Sequence, residues 1–253
     1  MICKIVIFIV GIFMFSACFS EKKVKPTREL PKIILWAWER PEDLRFLDAN
    51  IYGAAFLAQT LNLRGDEVLP NPRRQPLLIA PEVYLIAVTR IESDKNKHPA
   101  LSDLQKESIV SFIKQTAALP NIKGVQIDFD VLVSEREFYR SLIFDLKKTL
   151  PKNTTLTITA LASWCAFDNW LGDLPIDEAI PMAFEMGADD KRIREFLRQG
   201  ADWREPLCRK SYGIATDEPL DINFKTERKI FIFNKRNWRE QDLQLLPERI
   251  LQK

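Results

Sequence analysis

Histidine is almost missing from this chain: His98 is the single one. That excludes a zinc site built on several imidazoles, and it excludes a histidine-based triad with a residue to spare. A surplus of one charge is missing as well. Lys plus Arg number 37 against 35 Asp plus Glu, a net charge of +2. So small a balance builds no field that would hold a polyanion, and nucleic acid is not an expected partner. No glycine motif that would cradle phosphate and no cluster of metal-ligand residues occurs, so neither a metal nor an organic cofactor is expected. After the amino-terminal segment, no apolar run is long enough to cross about 30 Å of hydrocarbon.

The amino terminus carries the one conspicuous apolar stretch. MICKIVIFIVGIFMFSAC has an early Lys4, an apolar run from Ile5 to Phe15, and small Ser16 and Ala17 before Cys18. The run is short for a membrane span and fits a secretory leader over residues 1–17. Phe15-Ser16-Ala17-Cys18 resembles the bacterial lipobox, in which cleavage leaves an acylated cysteine, with Phe15 where leucine is usual. The resemblance implies lipidation of Cys18, an exported chain held to the cell envelope and facing the periplasm, and a membrane contact made by that anchor. The alternative is a plain signal peptide with Cys18 an incidental residue. The charged EKKVKPTREL that follows has too little apolar content to pack, so residues 18–31 are expected to be a tether. Cys165 and Cys208 then remain as the mature thiols. Cys165 ends one expected strand and Cys208 precedes another, which sets them near opposite ends of a parallel barrel, so two free, buried thiols are expected.

Hydrophobic residues make up 46% and charged residues 28%, enough to bury a core beneath a solvated surface. Residues 32–253 fit one domain. Eight short apolar runs recur in them: KIILWAW from Lys32, GAAFLA from Gly53, VYLIAVTRI from Val83, KGVQIDFD from Lys123, TLTITALAS from Thr155, EAIPMAFE from Glu178, SYGIAT from Ser211 and KIFIFN from Lys229. Amphipathic segments separate several of them, and that alternation marks a parallel sheet with crossover helices. Leu104, Ile109, Phe112, Ile113 and Ala117 fall at helical spacing after a Ser102 cap. Phe138, Leu142, Ile143 and Leu146 repeat the design, with Ser134 as cap and Lys147 and Lys148 at the negative end of the dipole. DKRIREFLRQG and EQDLQLLPERI supply later helices, the last interrupted at Pro247, and PNPRRQP from Pro70 reads as loop. A doubly wound open sheet is the alternative. Eight runs favour closure into one α/β domain, a single (β/α)₈ TIM barrel, expected as a monomer.

One run departs from what a barrel interior usually holds. In Gly124-Val125-Gln126-Ile127-Asp128-Phe129-Asp130, apolar and polar residues alternate, so Val125, Ile127 and Phe129 share one face while Gln126, Asp128 and Asp130 share the other. The apolar face suits the helices, which leaves two carboxylates looking inward at the carboxyl end of a strand. Residues two apart on a face lie about 7 Å from each other, near enough for each to shift the other's proton affinity. A raised acid beside an ionised neighbour is the division of labour that glycoside hydrolysis requires.

GVQIDFD resembles the fourth-strand motif of chitinase-like glycoside hydrolases, D-G-x-D-x-D-x-E, with Asp128 at its last Asp, Asp130 where the acidic Glu stands, and Gln126 in place of an Asp. That resemblance implies Asp130 as general acid and Asp128 as its electrostatic partner. More broadly, ILWAWERPEDLRFLD, GAAFLAQTL, GVQIDFD followed by SEREFYR, ITALASWC and AIPMAFEMG together resemble a bacterial family of exported barrel proteins, a domain of unknown function in the barrel hydrolase superfamily. This second resemblance implies fold and export, and no catalytic residue.

Other residues are expected at the same rim. Arg90 and Glu92 share the parity of Val88 at the end of the third run, and Arg90 is the natural counter-ion of the two aspartates; the bland reading is a buried ion network filling the barrel mouth. Glu39 and Arg40 follow the first run, and Asp217 and Glu218 the seventh. Glu185, after the sixth, is placed to face Asp130 as a second catalytic carboxylate. Trp36, Trp38 and Trp164 are candidate sugar platforms, against a reading as core residues. His98 is expected at the surface. The chain is thus expected to be a cell-envelope glycoside hydrolase-like protein acting on a glycan through its carboxylates. The alternatives are a noncatalytic carbohydrate-binding or envelope-assembly lipoprotein on the same barrel, and a purely structural charged interior.

Overall fold

The computed structural model describes residues 31–219, 221–225 and 227–251. The leader, Cys18 and nearly all of the expected tether lie outside the described residues. The chain runs β1 (Ile33–Ala37), β2 (Glu42–Asp43), β3 (Tyr52–Arg64), β4 (Glu67–Pro72), β5 (Leu77–Leu78) and β6 (Tyr84–Ser93) before its first helix, α1 (Asp103–Ala117). Then come β7 (Ile122–Asp128), α2 (Arg136–Thr149), β8 (Thr155–Leu161), α3 (Ala162–Ala166), β9 (Glu178–Met182) and α4 (Asp190–Arg198). The last elements are β10 (Ser211–Ala215), β11 (Lys229–Phe233) and α5 (Glu240–Leu251).

All eight apolar runs become strands of one parallel ring. β1 pairs with β11 on one side, Ile33 opposite Ile230, and with β3 on the other, Ile33 opposite Tyr52, so the sheet has no free edge there. Alternation along each strand then sorts side chains into two layers. Val125, Ile127 and Phe129 of the β7 segment join the buried cluster that holds Leu142, Ile143 and Leu146 of α2. A smaller cluster fills the interior, with Ile34 and Trp36 from the inward face of β1, Val88 from β6, Ile180 from β9 and Phe231 from β11. Trp36 is the largest of these. Its indole fits because β10 carries Gly213 opposite it: a Cβ there would lie 3.0 Å from the Trp36 ring and 3.1 Å from the Pro181 carbonyl oxygen. Trp36 Nε1 in turn donates to Gln126 Oε1 at 2.8 Å, and Gln126 Nε2 donates to Thr157 Oγ1 at 3.3 Å, a polar floor with its groups paired.

Helices follow β6, β7, β8, β9 and β11. Where β1 and β3 lead on, the chain makes strands instead. β3 extends past the ring, bulges between Leu57 and Gln59, and folds back into an antiparallel hairpin with β4. Pro70 and Pro72, expected in loop, are therefore strand residues; proline is tolerated there because β4 is an edge and needs no second partner.

Ser102 caps α1 as expected, accepting from Gln105 N at 3.2 Å. Leu104, expected inward, is 75% exposed in the first turn of α1, whose buried apolar residues are Ile109 and Ile113. Ser134 does not cap α2. Glu135 organises that end instead, accepting from Leu132 N at 2.7 Å and from the Ser93 hydroxyl at 2.6 Å. α5 continues through position 247 rather than breaking.

Cys165 and Cys208 form a disulfide with Cα atoms 5.8 Å apart, against the expectation of two free thiols. β8 ends at Leu161, so Cys165 is not a strand residue; it lies in α3, which turns into the outer layer. Cys208 belongs to the 3₁₀ turn Pro206–Lys210, and both α3 and that turn pack on β9. The Cys165 carbonyl also accepts from Arg204 N at 2.9 Å and Glu205 N at 3.1 Å, which draws the two segments together.

Candidate active site

At the carboxyl ends of the strands the ring opens into a cavity of about 280 Å³. β7 brings Asp128 to it as its last strand residue, and Asp130 follows just beyond. Inward parity is what places them: Gln126 below is on the floor, while Phe129 between them turns outward and packs edge-on against Tyr139 with ring centres 5.4 Å apart. The two acids are not equivalent. Asp128 is 9% exposed and accepts one hydrogen bond, from Thr159 Oγ1 of β8 at 2.7 Å. Burial pushes its carboxyl up to about 6; the Thr159 bond opposes the rise and the neighbouring Asp130 charge adds to it. Asp130 is open to solvent at the mouth and accepts no hydrogen bond among the described residues. The protein around its inner side still raises its proton affinity, against the pull of the Arg90 charge.

Arg90 lines the cavity, but its ion pair is with Glu92, Nε to Oε1 at 2.8 Å. Toward the aspartates it acts as a nearby positive charge rather than a hydrogen-bonded counter-ion. Glu185 also lines the cavity, as expected. Its backbone is left-handed, φ 49°, and is held there by a bond from its N–H to Glu218 Oε1 at 2.8 Å, while its carboxylate sits 3.5 Å from Lys235 Nζ. Asp217 takes the same lysine at 2.9 Å and faces a separate rim depression beside Asn234. Glu39 lines a neighbouring groove with Gln59 and Arg73, outside the cavity of the two aspartates. His98 is exposed in the loop after β6, as expected.

The tryptophans separate. Trp36 and Trp38 line the cavity. Trp164 does not: it is 4% exposed in the outer layer, edge-on to Trp170 at 4.9 Å, because α3 turns its side chain away from the mouth. The aromatic wall comes instead from residues the sequence reading passed over. Phe184 and Phe233 stack at 5.7 Å with 3° between their planes, and Trp38 meets Phe233 edge-on at 6.1 Å. Their signal was present: each is the second residue past an inward position, Met182 in one strand and Phe231 in the other, so parity alone carries them to the mouth. Thr159 was legible on the same ground, two residues past Thr157.

Together the strands define one closed α/β barrel, a (β/α)₈ fold in which, among the described residues, five of the eight ring strands are followed by a helix. The chain resembles three solved structures, and the first shares the fold. The Bacillus cereus spore cortex-lytic enzyme SleL aligns with a TM-score of 0.50 at 15% identity, covering 76% of this chain and 52% of that one. The chitinase domain of the spore coat protein CotE from Clostridium difficile gives 0.43 at 14%, covering 64% of this chain and 52% of that one. A chitinase from Rhizomucor miehei gives 0.46 at 10%, covering 77% and 72%. The alignments thus span about half of the first two proteins. No protein-family model and no curated protein matches the chain.

Proposed function

We propose that this chain is an exported, lipid-anchored barrel of the cell envelope that hydrolyses a glycan, with Asp130 as general acid and Asp128 as the buried carboxylate that shares its proton. One observation carries the reading: two inward acids two residues apart, both with raised proton affinity, open into a cavity walled by stacked aromatic rings. Asp130 stands at the mouth, where a glycosidic oxygen has access. Asp128, deeper and held by Thr159, stabilises positive charge developing on a sugar ring when ionised. Arg90 orients the pair electrostatically, and Trp38 with Phe233 offers a face for a pyranose. Glu185, fixed by Lys235, is a second wall carboxylate. The aligned chitinases and the cortex-lytic enzyme support a glycan ligand by their names. The Cys165–Cys208 disulfide supports an oxidising compartment, in keeping with the leader and Cys18, and membership in the exported-barrel family belongs to the same reading.

The test is Asp130→Asn assayed on envelope and chitin-type polysaccharides. Hydrolysis should vanish while the melting temperature stays put, and undiminished turnover would remove Asp130 from the role. A specific observation favours a second reading, in which the barrel binds glycans without cleaving them. Gln126 stands where the motif has an aspartate and its amide is committed to Trp36 and Thr157, so the inward positions of the β7 segment offer two carboxylates where the motif has three acids. That reading expects saturable glycan binding with no turnover by the unmodified protein.

A further inference from the structure

The glycan reading leaves the sugar class open, and the charges in the cavity narrow it. We propose that the cavity selects a sugar bearing a free, cationic amine, a de-N-acetylated hexosamine unit, over neutral N-acetylated and anionic sugars; this rests on the proposed glycan function and names its substrate class.

Four carboxylates line the cavity, those of Asp128, Asp130, Glu185 and Asp189, against one cation, Arg90. That cation is already engaged by Glu92 at 2.8 Å. Lys235, which approaches Glu185 at 3.5 Å, is closer to Asp217 at 2.9 Å. Among the described residues, each of these two cations already has an acidic partner. Negative charge is left over. Among the described residues the Asp130 and Asp189 carboxylates make no hydrogen bond or ion pair. Asp128, nine-tenths buried, is bonded only at Oδ1. Among the described residues its Oδ2 accepts no hydrogen bond, and it is the carboxylate oxygen left free for a ligand at a wall that is otherwise largely aromatic and aliphatic.

Carboxylates held near one another in a partly desolvated hollow repel, and a cation placed among them removes the penalty. A protonated amine brings three donors and one charge to that position. The stacked pair Phe184 and Phe233 with Trp38 provides the ring face a pyranose requires, and the same rings attract a cation at their faces. An acetamido group would be neutral and leave the acids uncompensated. A uronate would meet repulsion from the four carboxylates.

The purified protein is titrated by calorimetry at low salt and about neutral pH with glucosamine, N-acetylglucosamine and galacturonate oligosaccharides of equal length. The glucosamine oligomer should bind at least about fivefold more tightly than the N-acetylated one, the worth of one partly exposed charge pair, and added salt should erode that preference. Galacturonate should not bind. Asp189→Asn, on a loop and outside the proposed acid pair, should lower glucosamine affinity and leave N-acetylglucosamine affinity unchanged. N-acetylglucosamine binding as tightly as glucosamine, or a preference untouched by Asp189→Asn, overturns the inference while the glycan reading stands. Failure of every glycan on a broad array to bind would end both.

Discussion

Thr159 Oγ1 donates to Asp128 Oδ1 across the β7–β8 pair at 2.7 Å, and this hydroxyl is the hydrogen-bond donor that the buried carboxylate has. The bond favours the ionised form and restrains a pKa that burial has pushed up to about 6. Thr159→Val keeps the shape and removes the donor. A hydrogen bond to a charged group is worth about 1.5 kcal/mol, so the Asp128 pKa should rise by about one further unit. Carboxyl-resolved NMR titration measures it, and an unchanged value would mean that the bond does not act on the ionised state.

Stability should depend on pH in an unusual direction at this site. Asp128 binds its proton more tightly folded than unfolded, because the folded value is about 6 against 3.8. Its ionisation therefore costs native stability above pH 6, and the cost disappears as pH falls through 6 toward 4. The full shift corresponds to about 3 kcal/mol. Asp128→Asn, which can still accept from Thr159, should raise the urea midpoint near neutral pH and have little effect near pH 4. A variant less stable than the parent at both pH values would assign Asp128 a structural role.

Much of this arrangement is legible in the sequence. Strict alternation in GVQIDFD put Gln126, Asp128 and Asp130 on the inward face, because the two-residue period of a strand leaves no other choice once Val125, Ile127 and Phe129 are buried against helices. The eight strands were legible from apolar runs for the same reason. What failed were inferences that needed a chain direction past a strand's end. Trp164 and Cys165 were read as continuing β8, whereas the chain turns at Ala162, sending one into the outer core and the other into a disulfide. The β3–β4 hairpin was hidden because prolines at 70 and 72 look like loop until β4 is known to be an edge. Arg90 was correctly placed but wrongly partnered. Sequence parity fixes a side chain's face and says nothing about which of two nearby carboxylates it will reach.

The Cys165–Cys208 bond closes a loop with a sequence separation of 43. Chain-entropy arguments give such a cross-link about 4 kcal/mol, through the unfolded state. Cys208→Ser, or reduction before denaturation, should lower unfolding stability by that order, with β9 and α4 lying inside the freed loop. Urea unfolding with and without a reductant measures the difference. Coincident curves would show that the packing of α3 against the 206–210 turn holds the outer layer without the bond.

The two tryptophans offer a discrimination that turnover alone does not. Trp38 is part of the cavity wall, half-buried against Phe233, whereas Trp164 is 4% exposed and edge-on to Trp170. Removing a buried indole leaves a cavity and costs about 3–5 kcal/mol. Removing a ring face at an open mouth costs little stability and takes away a stacking surface. Trp164→Ala should therefore lower the melting temperature strongly, and Trp38→Ala should weaken glycan binding with only a small thermal shift. The pair must diverge in both readouts, because a Trp38 serving merely as core would lose stability along with affinity. If Trp38→Ala leaves glycan affinity intact, the aromatic wall is not a platform. The sugar would then have to be held by the acid cluster alone.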